Sequence, residues 1–441
     1  MRPHKIISCF FCILVLVGCT PKVDEVVVPG GPEEEVFRVP LTGIHPLAND
    51  QHLGVLLNDM GNASFVLLGE ASAGTAECYS WRAAITRRLV EEKGFKIIAI
   101  EGGWPAAYAV NQFIKGDSPY PAPPLEKFNR WPAWKWANQE TAAFTQWLRT
   151  YNGNQAPDLQ VSFYGLDVYS LWESLESLRE DFPQADARTL AAIDQAWNCL
   201  GPYNRSETAY AQATKAGGGC AGQLQELYAA IQNQLQAWPG PAEQALNVLQ
   251  NAAIGINAHN YYLATVQSNL QSWKLREQHM METIDRLVNQ YGPDAKIVVW
   301  ANNAQVGDAR YSAMADGGMD NLGQLVREKY KDTGVYLVGF GIYQGQVLAA
   351  EHWAGPARIM TVPAAQPGSW EALLHEQAPD NKLLLLQDWR RNSELTKSRG
   401  HRDIGPVYAP DQEAGNYVPS NLPNRYDALL YLDKSQALQP L

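Results

Sequence analysis

Four apolar, strand-like runs in this 441-residue chain end on residues that can do chemistry. Phe65-Val-Leu-Leu-Gly-Glu70 and Lys96-Ile-Ile-Ala-Ile-Glu101 end on glutamates, and Val161-Ser-Phe-Tyr-Gly-Leu-Asp167 ends on an aspartate. Lys296-Ile-Val-Val-Trp300 runs into Ala301-Asn-Asn-Ala-Gln305. In open α/β sheets, ligands gather beyond the carboxyl ends of the strands, so these residues are expected to share one crevice. Three chemistries fit them. Two close carboxylates can share a proton, so Glu70 and Glu101, with Arg82 nearby for developing negative charge, could act as an acid/base pair on a glycosidic bond or a weak ester. Glu70, Glu101 and Asp167 could instead hold a hard cation such as Ca²⁺ or Mg²⁺. Or the acids and Arg82 form a buried charge network that keeps the fold in register, because breaking such a pair is costly. Asn302 and Gln305 can orient a carbonyl or an oxyanion but do not titrate.

The elements that must position these residues alternate. After Glu70, Cys78, Trp81, Ile85 and Leu89 recur at helical spacing, and Gly94 closes the helix. Cys78 lies in that apolar stripe and reads as a small buried hydrophobe. After Glu101, Ala107 to Ile114 reads as a helix stopped by Gly116. A loop from Asp117 to Asn129 leads to Trp131, Trp134 and Trp136, which could wall a flat ligand or pack the core. Residues 170–290 are rich in Ala, Gln and Leu and read as a mostly helical insert, broken at Gly201-Pro202, Gly217-Gly-Gly219 and Pro239-Gly-Pro241. The alternation returns with Ile297 to Trp300, the helix Leu322 to Tyr330 and the run Val335 to Phe340, and short strands follow at Leu383 to Leu386 and Ala428 to Leu432. This order predicts an α/β fold, a partly parallel sheet flanked by helices.

The N-terminus reads as an address. Arg2, His4 and Lys5 precede an apolar run, Ile6 to Val17, too short to span a bilayer comfortably. The run ends in Leu16-Val-Gly-Cys19, which resembles the cleavage and lipidation box of bacterial lipoproteins, as against an ordinary signal with a chance cysteine. Residues 1–19 are thus expected to be a lipoprotein-type signal, with Cys19 diacylated and holding the protein to a membrane surface of the bacterial envelope. Residues 20–36, with Pro21, Pro29, Gly30, Gly31 and Pro32, read as a flexible tether. Residues 37–441 form the folded domain, whose 46% hydrophobic and 18% charged composition supports a sizeable core. The net charge of −11, more negative once the basic start is removed, and the absence of a Lys/Arg-rich run argue against nucleic-acid binding. Cys199 and Cys220 flank a loop, and their spacing permits a disulfide in an oxidising compartment without requiring one.

Many segments in register resemble the erythromycin esterase family. They are Leu68-Gly-Glu-Ala-Ser-Ala-Gly-Thr75, Arg82 with Leu89-Val-Glu-Glu92, Ala99-Ile-Glu101, Trp131-Pro-Ala-Trp134, Tyr164-Gly-Leu-Asp-Val-Tyr169, Val299-Trp-Ala-Asn-Asn303, Val306-Gly-Asp-Ala-Arg310, Asn321-Leu-Gly323, Gly339-Phe-Gly341, Gly415-Asn-Tyr-Val-Pro419 and Arg425-Tyr-Asp-Ala428. The resemblance covers about residues 60–441. It implies a hydrolase of macrolide lactones, or of unknown substrates, that works without metal or cofactor: a histidine activates water, helped by glutamates, an arginine and further histidines. Glu70, Arg82 and Glu101 match that pattern. The family histidines do not, because Ala73, Asn302 and Gln305 occupy their positions and Gly103 replaces a further acid.

Imidazole supplies a proton affinity near neutral pH, so its loss is expected to cost a hundred- to ten-thousandfold in rate, on the order of general-base catalysis itself. His259, His279, His352, His375 and His401 are scattered without metal-ligand spacing, and only His401, read as a loop residue near Asp403, invites inspection for a relocated role. No Gly-x-Ser-x-Gly elbow points to a serine esterase. The expected protein is a weak or inactive hydrolase of this type that binds an apolar, oxygen-rich small molecule or ester at Asn302, Gln305 and Asp167. The alternative is an active ester or lactone hydrolase run by Glu70 and Glu101.

Overall fold

A computed structural model describes residues 41–117 and 120–441. The signal, Cys19 and the tether lie outside the described residues. Eleven strands are present among those described: β1 (Ile44–Pro46), β2 (Phe65–Leu68), β3 (Ile97–Gly103), β4 (Ser162–Asp167), β5 (Ile297–Trp300), β6 (Val335–Ala349), β7 (Arg358–Val362), β8 (Lys382–Leu385), β9 (Arg399–Arg402), β10 (Tyr417–Ser420) and β11 (Ala428–Ser435). Nine of them form one sheet in the order β1-β8-β11-β6-β2-β5-β3-β4, with β7 paired to β6, while β9 and β10 pair separately. The six strands from β11 to β4 run parallel, and β1, β7 and β8 are antiparallel additions.

The central strands are apolar on both faces because helices cover both, as a parallel sheet requires. Alternation then sorts their side chains. Phe65, Leu67, Ile97, Ala99, Ile297 and Val299 enter one core layer, and Val66, Leu68, Ile98, Ile100, Val298 and Trp300 enter the other. The second layer meets α2 (Ala76–Lys93) through Cys78, Ile85 and Leu89, with α1 (Gly54–Met60) beside it through Leu56 and Leu57. It also meets α3 (Trp104–Lys115) and α4 (Gln139–Asn152) through Val110, Phe113, Phe144 and Leu148. Gly94, at φ 72°, closes α2 in the left-handed conformation that glycine adopts most cheaply.

The first layer is covered by the residues between β4 and β5. These form six helices and no strand: α5 (Leu171–Asp181), α6 (Ala187–Leu200), α7 (Glu207–Lys215), α8 (Ala221–Leu235), α9 (Ala242–Thr265) and α10 (Asn269–Tyr291). The insert is tied to the sheet by apolar packing and by Trp104 Nε1, which donates to Asn247 Oδ1 at 2.8 Å. Cys199 and Cys220 are joined as a disulfide between α6 and α8.

One strand is much longer than the sequence pattern suggested. β6 continues nine residues beyond Phe340 and turns back as β7, because Val347 and Ala349 find their own small core with Met360, Val362, Ile404 and Tyr408. This hairpin brings the C-terminal segment around β9 over the ends of the central strands. Leu348 N donates to Gly74 O and Ile404 N donates to Ala71 O, at 2.9 and 2.8 Å.

The disulfide closes a loop of about 20 residues, for which chain entropy supplies about 3 kcal/mol. A Cys199→Ala/Cys220→Ala double variant is expected to unfold at lower denaturant concentration by about that amount. Equal midpoints with and without the bridge in chemical denaturation would remove the insert's dependence on it.

Candidate active site

Each acid predicted from sequence sits at a strand end. Glu70 follows β2 and is fully buried, Glu101 lies near the end of β3 and is 7% exposed, and Asp167 ends β4 and is 4% exposed. A register shift against β4 between Ile100 and Gly103, just past the last pairing with β5, re-aims Glu101 toward the strand ends. The acids do not converge on an open cage. Three cations that come from elsewhere in the chain separate them.

Arg82, on α2, is fully buried and places Nη2 2.7 Å from Glu70 Oε2. The contact is an ion pair without good hydrogen-bond direction, and the guanidinium is also packed over Tyr79, at 4.3 Å, and Trp300, at 5.0 Å. Lys135, in the turn Ala133–Lys135, bridges Glu70 Oε1 at 3.3 Å and Glu101 Oε2 at 2.8 Å. Arg276, on α10, donates to Glu101 Oε1 at 2.5 Å and makes a two-pronged contact with Asp167, at 2.7 and 3.0 Å. The backbone N–H of Asn302 adds a third donor to Glu101 at 2.9 Å. The result is a chain of alternating charge: Arg82, Glu70, Lys135, Glu101, Arg276, Asp167.

This geometry corrects four expectations. Burial alone would raise the Glu101 pKa, but Lys135 and Arg276 outweigh it and hold the carboxyl down at about 2. Glu101 is therefore a permanent anion and a poor proton carrier, which argues against the Glu70/Glu101 acid/base pair. A hard-cation cage is ruled out for these three acids, because protein cations fill the space between them; among the described residues no cluster of three or more His, Cys, Asp or Glu could hold a metal ion. Arg82 lies under Glu70, sealed from solvent, so it positions that acid rather than touching a substrate. Asp167 is turned onto Arg276, not toward a ligand.

The three positions that the resemblance sets against family histidines, Ala73, Asn302 and Gln305, have different surroundings. Ala73 is 3% exposed and belongs to the core layer under α2. Gln305 is 2% exposed and faces Glu277 Oε1 at 3.5 Å. Glu277 is pushed up to about 8, because burial outweighs the help from Arg276 and the Leu322 N–H. Asn302 alone keeps partial solvent access; its side chain caps the helical turn that follows, accepting from Ala304 N at 2.8 Å. Asn303 is the pin behind it. Its amide exchanges hydrogen bonds with both Phe340 backbone groups, at 2.7 and 3.1 Å, and its N–H donates to Glu70 O at 3.0 Å. Gly69 must be glycine here, since a Cβ would fall 2.2 Å from Asn303 Oδ1.

Two residues that the sequence did not single out complete the accessible floor. Lys135 is one. Asp403 is the other: it follows β9, is partly exposed, and the Ile404–Ala71 bond holds its backbone beside the loop after Glu70. Burial and the Glu70 charge raise its pKa to about 6, against the pull of Arg425 and His401. His401 itself is not in a loop. It is a buried residue of β9, with Nδ1 2.7 Å from Glu371 Oε1 and Nε2 3.4 Å from the Asn303 amide. The tryptophans divide: Trp134 and Trp136 are buried in the core, Trp136 donating to Glu101 O at 3.0 Å, whereas Trp131 meets Trp353 at 4.4 Å near the surface. A recess of about 650 Å³ lined by Gln184, Asp186, Asn233 and Trp238 belongs to the insert, apart from these groups.

The chain is an α/β protein whose parallel strand ends gather a network of paired charges. This chain belongs to the erythromycin esterase family, whose model matches residues 90–435. That stretch includes Glu101, Lys135, Asp167, Arg276, Asn302, Gln305 and Asp403, and it begins after Glu70, Ala73 and Arg82. Erythromycin esterase type II from Escherichia coli is 27% identical over 165 residues, which span 36% of this chain and 38% of that protein, so well under half of the relative's length is matched. The fold is shared with a Bacillus cereus protein (TM-score 0.76, 21% identity, 90% of this chain and 97% of that one). It is shared too with a succinoglycan biosynthesis protein (0.72, 19%, 90% and 96%). A histidine-to-asparagine mutant of the erythromycin esterase EreC in its open conformation also matches (0.62, 18%, 88% and 95%).

The two perturbed glutamates act on stability in opposite directions. Glu101, lowered from 4.5 to about 2, contributes stability above pH 4.5 that is lost as pH falls toward 2, about 3 kcal/mol in all. Glu277, raised from 4.5 to about 8, contributes stability that is present below pH 4.5 and is lost as pH rises through 8. Denaturation midpoints across this range should show Glu101→Gln flattening the acid limb and Glu277→Gln flattening the alkaline one. Unchanged limbs in both variants would contradict the assignment.

Proposed function

We propose that this protein is a lipid-anchored member of the erythromycin esterase family in the bacterial envelope. Its crevice binds an apolar, oxygen-rich ester or lactone, and it hydrolyses that ligand weakly. The observation that supports this reading is the chemistry of the accessible floor. The three buried acids are matched by two buried arginines and by Lys135, which is partly exposed, and what faces a ligand is that one ammonium, one amide (Asn302) and one carboxyl (Asp403). Those groups match the carbonyl and hydroxyl oxygens of a neutral ligand better than they match an anion or a cation. Ala73, Asn302 and Gln305 leave no titrating imidazole at the positions where the family carries one, which argues for slow turnover. Glu101, held ionised by three donors, argues against the faster alternative in which Glu70 and Glu101 exchange protons.

The anchor rests on Leu16-Val-Gly-Cys19 and the short apolar run before it. Among the described residues no helix is long and apolar enough to cross a membrane.

Two measurements test the reading. Calorimetric titration with erythromycin is expected to give saturable binding that Asn302→Ala weakens by about 1 kcal/mol, the usual net worth of one hydrogen bond. Absence of binding by the intact protein to macrolides and aryl esters alike would defeat it. Expressed with its N-terminus in a bacterial host, the protein should fractionate with membranes and carry an acyl mass, and Cys19→Ser should release it. Membrane association that survives Cys19→Ser would defeat the anchor.

A further inference from the structure

The recess on the helical insert takes no part in the strand-end charge network. Its volume is about 650 Å³, inside the range of about 300–1,000 Å³ in which small-molecule sites fall. Three segments wall it: the turn between α5 and α6 with Gln184 and Asp186, the last residues of α8 with Asn233 and Gln234, and the turn at Trp238 that leads to Gln244 on α9. The Cys199–Cys220 disulfide joins the end of α6 to the start of α8, so two of these walls are tied to each other. Four of the six side chains are carboxamides, and no lysine or arginine lines the recess. Two of the carboxamides are already oriented. Gln234 Oε1 accepts from Asp186 N at 3.2 Å, which leaves its Nε2 to donate. Gln244 Nε2 donates to Asp181 O at 3.2 Å, which leaves its Oε1 to accept. The side chains of Gln184 and Asn233 are exposed and make no hydrogen bond among the described residues. Asp186 caps α6, its carboxylate accepting from Thr189 N at 2.7 Å. Trp238 is partly exposed; its Nε1 donates to Pro241 O at 3.2 Å, and its ring packs on the buried Phe182 with 5.3 Å between centroids. Gly240 lies so close that a Cβ there would fall 2.6 Å from the indole, and a side chain at that position would displace the ring.

We propose that this recess is a binding site for a short neutral oligosaccharide. The indole, held from two sides, offers a rigid apolar surface to the C–H face of a sugar ring. A sugar hydroxyl both donates and accepts, and a carboxamide carries donors and an acceptor side by side, so neighbouring hydroxyls are met in both senses by one side chain. The fixed Nε2 of Gln234 and the fixed Oε1 of Gln244 supply one partner of each kind without reordering. Other ligand classes fit less well. An anion would face Asp186 with no cation to meet it, and a cation would find a single carboxylate that already accepts from a backbone N–H. A wholly apolar ligand would strip water from the carboxamides and leave nothing in its place. The site is independent of the crevice chemistry proposed above, because none of its residues belongs to the charge chain.

The test is calorimetric titration of the intact protein with maltotriose and with tri-N-acetylchitotriose, two neutral trisaccharides that differ in their acetamido groups, and with a proline-rich decapeptide. Saturable binding of at least one trisaccharide is expected. Trp238→Ala should weaken it about tenfold or more, as loss of a central aromatic contact does. Asn233→Ala should weaken it about fivefold, the effect of one hydrogen-bonding group. Asn233→Ala should also melt with the wild type, since that side chain bonds to nothing in the fold, so it carries the test alone if Trp238→Ala does not fold. No saturable binding of either trisaccharide overturns the proposal. So does trisaccharide binding that Asn233→Ala and a folded Trp238→Ala leave unchanged. Binding of the peptide in place of the trisaccharides overturns it too and assigns the recess to a protein partner.

Discussion

The structure depends on one ammonium group. Lys135 Nζ stands between Glu70 and Glu101, and without it two buried carboxylates from the ends of β2 and β3, the strands on either side of β5, would face each other in a medium of low dielectric. Burial opposes ionisation of that lysine, yet the two glutamates more than offset the opposition and raise its pKa. Arg82 and Arg276 extend the same solution to either side, so three negative and three positive groups alternate across the ends of β2, β3 and β4. Removing one partner from such a pair typically costs 3–5 kcal/mol, far more than the pair adds relative to apolar packing. The network is therefore hard to lose piecemeal, and it gives the loop after Glu70, the turn at Lys135, and α10 of the helical insert a common anchor.

That anchoring explains what could be read from the chain and what could not. Glu70, Glu101 and Asp167 were legible because each terminates an apolar run, and strand ends in parallel sheets project into the crevice. The α/β class followed from the same alternation, and the insert from its unbroken helical composition. Arg276 was hidden because a charged residue on a long helix ordinarily marks a solvated face; only the docking of α10 across β4 turns it inward. Lys135 was obscured by its tryptophan neighbours, which drew attention to stacking. Asp403 and His401 were misjudged because β9 pairs with β10 rather than with the main sheet, leaving a weak four-residue signal, Arg-Gly-His-Arg, without apolar alternation. The full length of β6 was missed for a similar reason, since its continuation, Tyr343-Gln-Gly-Gln, is polar until the hairpin core resumes at Val347.

Asn303 shows how the fold survives divergence at its neighbour. Its side chain closes on both backbone groups of Phe340, its N–H holds Glu70 O, and its carbonyl accepts from Arg425 at 3.2 Å. One residue thus ties the ends of β2, β5 and β6 to the segment leading into β11. Position 302, one step earlier, carries a different load. There an asparagine caps the following turn and presents its N–H to Glu101, and a residue of another type could do the second task through the backbone alone. The scaffold is held by 303, and 302 is free to set the chemistry.

Ala73, Asn302 and Gln305 therefore stand in unlike surroundings. Ala73 is absorbed into an apolar layer, where an imidazole would need a partner that its neighbours do not provide. The Gln305 Oε1 is buried without a hydrogen bond, and Glu277 beside it is driven toward the neutral acid by burial, against the pull of Arg276, which also pairs with Glu101 and Asp167. Asn302 is partly open to solvent, and its side chain caps the turn that follows.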